Sequence, residues 1–145
     1  MIEEIRLRLA GYQPSDCPPE HRHRNAAAVL VPIRQGAQPS IILTQRSSLL
    51  SSHAGEVAWP GGKVDEQDQS LSDTALRETQ EEIGLQTQEV ELLGGLASFV
   101  SKFGLWVTPF VGLVPADAKL QANPGEIEEI FEVPLLFLLN NRRIA

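Results

Sequence analysis

The sequence predicts a fold in which strands and helices share one domain across residues 1–145. Three observations carry that expectation. Apolar runs rich in β-formers recur along the chain, at residues 26–33 (AAAVLVPI), 40–45, 90–96 and 106–114. Between Ser70 and Gly84 lies a periodic stretch with both the start and the stop signal of a helix. With 145 residues, 42% of them hydrophobic and 21% charged, the chain can bury a core and has the composition of an ordinary globule.

In order, residues 2–10 read as a short amphipathic helix with Ile2, Ile5 and Leu9 on one face. A proline-punctuated loop follows at 11–19. His21, Arg22, His23 and Arg24 then form the one dense basic cluster, either a solvated loop or an anion contact. The run 26–33 reads as a central strand, joined through 34–39 to the strand 40–45 as a hairpin. Residues 46–53 form a loop and 56–58 a short strand leading into Pro60. Gly61-Gly62 reads as a turn, followed by an acidic loop. Strands at 90–96 and 106–114 flank the loop 98–104, whose Lys102 and Phe103 make it a candidate lid or specificity loop. A polar connection at 115–124 precedes an acidic strand at 126–132, and Pro134 opens a short apolar helix, LLFLLNN.

The helix within 70–84 organises the rest. Ser70 is the expected N-cap with Asp73 three residues on, and Gly84 supplies the left-handed stop. At about 100° per residue, Ala75, Leu76, Thr79 and Ile83 share a buried face. Glu78, Glu81 and Glu82 share an adjacent one, where they repel each other near a helix C-terminus that already disfavours negative charge. A solvated acidic helix end is one explanation and a hard divalent cation the other. Arg77, four residues before Glu81, is placed to orient a carboxylate, and the bare backbone of Gly61-Gly62 can bring a carbonyl to the same patch.

Composition excludes several classes. No apolar run approaches the roughly 20 residues of a membrane span. The start, MIEEIRLRLA, lacks the apolar core of a secretory signal. Cys17 is the single cysteine, so neither an internal disulfide nor a zinc cluster is expected, and a cytoplasmic protein is the default. A net charge of −7 argues against nucleic-acid binding, and an anionic substrate would need a metal or a local basic patch.

The segment GGKVDEQDQSLSDTALRETQEEIGL resembles the Nudix box, G-x5-E-x7-R-E-U-x-E-E-x-G-U with U aliphatic. RETQEEIGL matches it except for Thr79 at the aliphatic position. The front half departs: counting back from Arg77 puts Lys63 at the glycine and Gln69 at the first glutamate, whereas counting forward from Gly62 puts Asp68 there. Upstream, LTQRSSLLSSHAGEVAWPGG is similar to the signature of the coenzyme A diphosphatase branch, with Glu56 where glutamine is usual and Trp59 where phenylalanine is usual. The resemblance extends from about Arg24 to Leu135.

This resemblance implies an α/β/α sandwich around a mixed β-sheet, and hydrolysis of a diphosphate. Mg2+ or Mn2+ would be held by Glu78, Glu82, Glu81 and the Gly62 carbonyl, with Arg77 orienting. Glu78, Glu81 or Glu126 would serve as base; Glu126 resembles the extra glutamate many family members supply from outside the box, and is otherwise a surface acid. Arg24, Arg46 and His53 would bind substrate, although a lone His53 is equally readable as structural. In the coenzyme A branch the products are 3′,5′-ADP and 4′-phosphopantetheine. A Nudix enzyme acting on ADP-ribose, NADH or a nucleoside triphosphate is the first alternative, and a non-catalytic binding module the second. Branch members usually continue beyond the position of Ala145 with a covering helix, so an exposed sheet face is expected to be covered in a homodimer, or else left open in a shortened form.

Overall fold

A computed structural model describes residues 1–10, 25–51 and 53–140. The loop 11–19, Cys17, the basic cluster through Arg24, and the last residues of the chain lie outside the described residues. In chain order the elements are α1 (Ile2–Ala10), β1 (Ala26–Arg34), β2 (Ser40–Arg46), β3 (Val57–Ala58), β4 (Gly61–Lys63), α2 (Leu71–Ile83), β5 (Glu91–Gly95), β6 (Phe99–Val100), β7 (Trp106–Val114), β8 (Ile127–Pro134) and α3 (Leu135–Asn140). None of these helices is long and apolar enough to cross a membrane.

β1 is apolar at nearly every position because both of its faces are covered. It pairs in parallel with β7 along its whole length, from Ala26 opposite Trp106 to Arg34 opposite Val114. Its other edge is divided. Ile33 and Arg34 pair antiparallel with Ile41 and Ser40 of β2, the expected hairpin, whereas Ala27, Ala28 and Val29 pair antiparallel with Lys63, Gly62 and Gly61 of β4. β2 meets β3 at Thr44 and Gln45 and carries β8 along its far edge. β1 and β2 therefore diverge beyond their hairpin, and β3 and β4 occupy the wedge. β5 and β6 pair antiparallel with β7, completing a mixed sheet.

Side chains of β1 alternate between two cores. Ala28 and Leu30 pack with Ile42, Val114 and the Ala75–Ile83 face of α2 on one side. Ile33 joins Leu9 of α1, Ile41, Val111, Leu113 and Leu135 of α3 on the other. The sheet thus lies between helices, as the sandwich expectation required. Thr79 is buried at its apolar position because its hydroxyl donates to the Ala75 carbonyl at 2.7 Å, leaving the methyl to face the core.

Three readings need correction. Gly61-Gly62 is not a turn but the body of β4; a Cβ on Gly61 would stand 2.4 Å from the Ala28 carbonyl oxygen, so glycine permits a ladder no other residue would. The loop 98–104 is interrupted by β6, which folds back on Trp106 and Val107. Pro134 closes β8 rather than opening the last helix, which begins at Leu135.

Candidate metal centre and substrate cleft

The helix ends are built as their residues dictate. Ser70 is extended and its hydroxyl accepts from the Asp73 N–H at 3.2 Å, while Gly84 closes α2 at φ 73° and donates to the Gln80 carbonyl. This fixes the rotation of α2 so that Glu78 and Glu82 face β4. The Gly61 N–H donates to Glu82 Oε1 at 2.9 Å. Glu78 packs so closely on Gly62 that a Cβ there would lie 2.6 Å from its carboxyl carbon. The double glycine is what lets the acidic face of α2 approach the strand.

Glu126 completes the group. It precedes β8 in a segment tied to both α2 and β2: the Gln121 and Asn123 N–H groups cap the Ile83 and Glu82 carbonyls, and the Glu126 carbonyl accepts from Ser47. Carboxylate oxygens of Glu78, Glu82 and Glu126 all lie within 4.8 Å of one another. Glu81 is not among them. Half exposed, it accepts from Arg77 Nη1 at 3.2 Å. Gly62 lies in β4 directly against the Glu78 carboxylate.

Arg77 is the hub beneath this patch. It donates from Nε to Asp68 Oδ1 at 2.8 Å and from Nη2 to Asp68 Oδ2 at 3.0 Å, a bidentate pair, and reaches the Lys63 carbonyl and Glu78 Oε1 as well. Asp68, whose side chain is 4% exposed, also accepts from the Thr74 hydroxyl and the Asp65 N–H. The Arg77 bonds hold its carboxyl well below the usual carboxylate range. Asp68 thus occupies the place of the box's first glutamate, as the forward count from Gly62 allowed; the role is filled by an acid one carbon shorter in a loop one residue longer.

The cluster is electrostatically short of positive charge. Burial, reinforced by Glu78 and Glu126, pushes the Glu82 carboxyl up to about 8, even though the Gly61 N–H opposes it. Burial also raises Glu78, against the pull of Arg77. Glu82 is 3% exposed and has no ion pair among the described residues. Three hard oxygen donors converging from α2 and from the segment just before β8, one of them buried with a single backbone bond, fit a divalent cation.

A pH dependence follows. A carboxyl raised in the folded state costs nothing below its ordinary value near 4.5, where both states are protonated. As pH climbs from about 4.5 to about 8, the unfolded group ionises while the folded one resists, and metal-free protein loses stability. A cation that stabilises the ionised form should therefore raise the melting temperature more at pH 8 than at pH 5. Thermal unfolding with and without Mg2+ at both values checks this; equal shifts would mean that Glu82 is not a ligand.

The cluster opens into a cleft of about 660 Å3 formed where β1 and β2 diverge. Arg46, at the end of β2, lines it, and its Nε is buried without a hydrogen-bond partner among the described residues. His53 lines the same cleft, its Nδ1 3.0 Å from Glu56 Oε2 and its ring edge-on to Phe103. Both are brought to the cleft with Glu78, Glu82 and Glu126; Arg24 lies outside the described residues. Sequence reasoning passed over Asp68 and Glu56 as site residues. The forward box count signalled the first, and the departure from glutamine the second.

Residues 22–143 match the NUDIX domain family, and the chain belongs to that family. Its relatives include proteins described as uncharacterized Nudix hydrolase NudL. That of Photorhabdus laumondii is 48% identical over 122 residues, which is 84% of this chain and 64% of the relative. The Yersinia enterocolitica protein is 45% identical over 130 residues, 90% and 65% respectively. The chain spans just under two thirds of the length of these relatives. Among solved structures, a Caenorhabditis elegans Ap4A hydrolase binary complex superposes with a TM-score of 0.66 at 20% identity, covering 78% of this chain and 83% of that one. The NUDIX domain of Shewanella oneidensis NrtR complexed with ADP ribose gives 0.60 at 22% identity, covering 92% and 84%. At such identities these likenesses bear on the fold alone.

Proposed function

We propose that the chain acts in the cytoplasm as a Mg2+- or Mn2+-dependent diphosphatase that cleaves coenzyme A or a derivative to 3′,5′-ADP and 4′-phosphopantetheine. The observation that carries the hydrolytic reading is the convergence of Glu78, Glu82 and Glu126 at the floor of a cleft lined by Arg46. A bound cation would neutralise phosphate charge and acidify water. Arg46 supplies a donor for a non-bridging phosphate oxygen. Glu126, arriving from a different element than the two α2 carboxylates, suits the role of accepting the attacking water's proton. Glu81, held by Arg77, instead helps fix the guanidinium that orients Glu78.

The substrate assignment rests on the 43–62 signature and on the placement of Arg46 and His53 at the cleft. Incubating the protein with coenzyme A, ADP-ribose, NADH and nucleoside triphosphates, each with and without Mg2+, tests it. Metal-dependent release of 3′,5′-ADP at the highest kcat/KM supports the coenzyme A reading. Preference for another diphosphate would move the enzyme to a different substrate class, and no turnover would favour a binding module.

A homodimer is also proposed, supported by Leu136 and Phe137, which stand about half exposed on α3. Sedimentation at micromolar concentration should show a dimer; a clean monomer would refute it.

A further inference from the structure

The last carbonyls of a helix have no partner inside it. At the end of α2 three of them, from Glu81, Glu82 and Ile83, are met by one short segment. The Gln121 N–H donates to Ile83 and the Asn123 N–H to Glu82, both at 2.9 Å. The Asn123 side chain takes the third, its Nδ2 donating to the Glu81 carbonyl at 3.4 Å.

Asn123 also turns the chain toward the cluster. Its Oδ1 accepts from the Gly125 N–H at 3.2 Å, the bond to the backbone two residues on by which asparagine closes a turn. Its carbonyl accepts from the Glu126 N–H at 2.9 Å and the Ile127 N–H at 2.8 Å. Pro124 stands next, where a fixed φ suits the turn. The β2–β8 ladder does not reach Glu126: its register shifts between Gln45 and Arg46, and its last pair is Arg46 with Ile127. The turn, with the one bond from Ser47 to the Glu126 carbonyl, therefore sets where the third carboxylate stands.

We propose that Asn123 is a positioning residue for Glu126, its amide fixing the spacing between the end of α2, which carries Glu78 and Glu82, and the turn that carries the third carboxylate. This role rests on the reading of those three carboxylates as a cation site.

The chemistry of the side chain supports the assignment. Asn123 is exposed, so it contributes bonds rather than packing. An amide carries a donor and an acceptor on one planar group, and both are used here, one toward α2 and one toward the turn. Without the amide the two backbone caps still hold the segment near α2, but the turn is free to carry Glu126 away from the other two carboxylates. A cluster binds a cation well only while its donors are held at the right spacing.

Mn2+ affinity, read without substrate from the paramagnetic resonance of the free ion, tests this. Asn123→Ala is expected to weaken Mn2+ about tenfold. Asn123→Ser, whose hydroxyl can still accept from Gly125, should lose about threefold. Because Asn123 acts through Glu126, Asn123→Ala placed in a Glu126→Gln background should cost less than about twofold further. Affinities of both Asn123 variants within about twofold of the parent would overturn the role while leaving the cation site standing. A loss of about tenfold that persists in the Glu126→Gln background would also overturn it, showing that the amide serves the fold alone. Failure of the parent to bind Mn2+ would overturn the cation site and this role with it.

Discussion

Replacing Glu82 by glutamine is expected to lower hydrolysis by roughly a thousandfold or more while leaving the fold intact. The amide oxygen can still accept the Gly61 N–H, so β4 keeps its contact with α2. What disappears is one negative donor from a three-carboxylate group. Because the buried carboxyl is already pushed up to about 8, a neutral replacement also relieves a strain of the metal-free site. The variant should therefore melt no lower than the parent at neutral pH without metal, yet gain less on adding Mg2+. Turnover within tenfold of the parent would remove Glu82 from the proposed mechanism; loss of circular dichroism would show that the residue serves the fold instead.

Removal of the Asp68 carboxylate should be the most damaging change to stability among the polar residues of the site. Asp68→Ala deletes both arms of a bidentate pair and the acceptor for Thr74 and the Asp65 N–H. Arg77 is about a quarter exposed, so water recovers part of its charge, and a loss of about 2–3 kcal/mol is expected in urea unfolding. The acid limb gives a second readout. A carboxyl held low in the folded state adds stability above its ordinary value near 3.8, and loses it as pH falls through the folded value. The parent should accordingly lose more stability than Asp68→Ala on acidification below about pH 4. A change under about 0.5 kcal/mol would mean that the Arg77 network is replaceable by solvent.

Local signals were legible where one residue type decides the backbone. Ser70 and Gly84 mark the ends of α2 because a hydroxyl cap and a left-handed stop have few substitutes. The apolar runs gave β1, β2 and β7, since strands covered on both faces need little polarity. Gly61-Gly62 misled for a physical reason: glycine marks turns by its freedom, but here it is needed for its lack of a side chain against Ala28 and Glu78. No spacing rule could separate those two uses. The site shows the same limit. Glu78 and Glu82 follow from helical periodicity, whereas Glu81, adjacent on the same wheel, turns to Arg77 because its side chain is exposed and a guanidinium lies one turn away. Glu126 joins them through a non-local pairing of β8 with β2 that periodicity does not report.

The way the 121–126 segment is tied down also sets the order in which the site comes into being. Until residues 121–126 have been synthesised, the Glu82 and Ile83 carbonyls lack these caps and the third acid is absent. The same few residues that cap those carbonyls then deliver Glu126 and anchor it to Ser47. Finishing the helix end and finishing the acidic cluster are thus one event. Until that segment is in place, the chain holds only two of the three carboxylates that the proposed site requires.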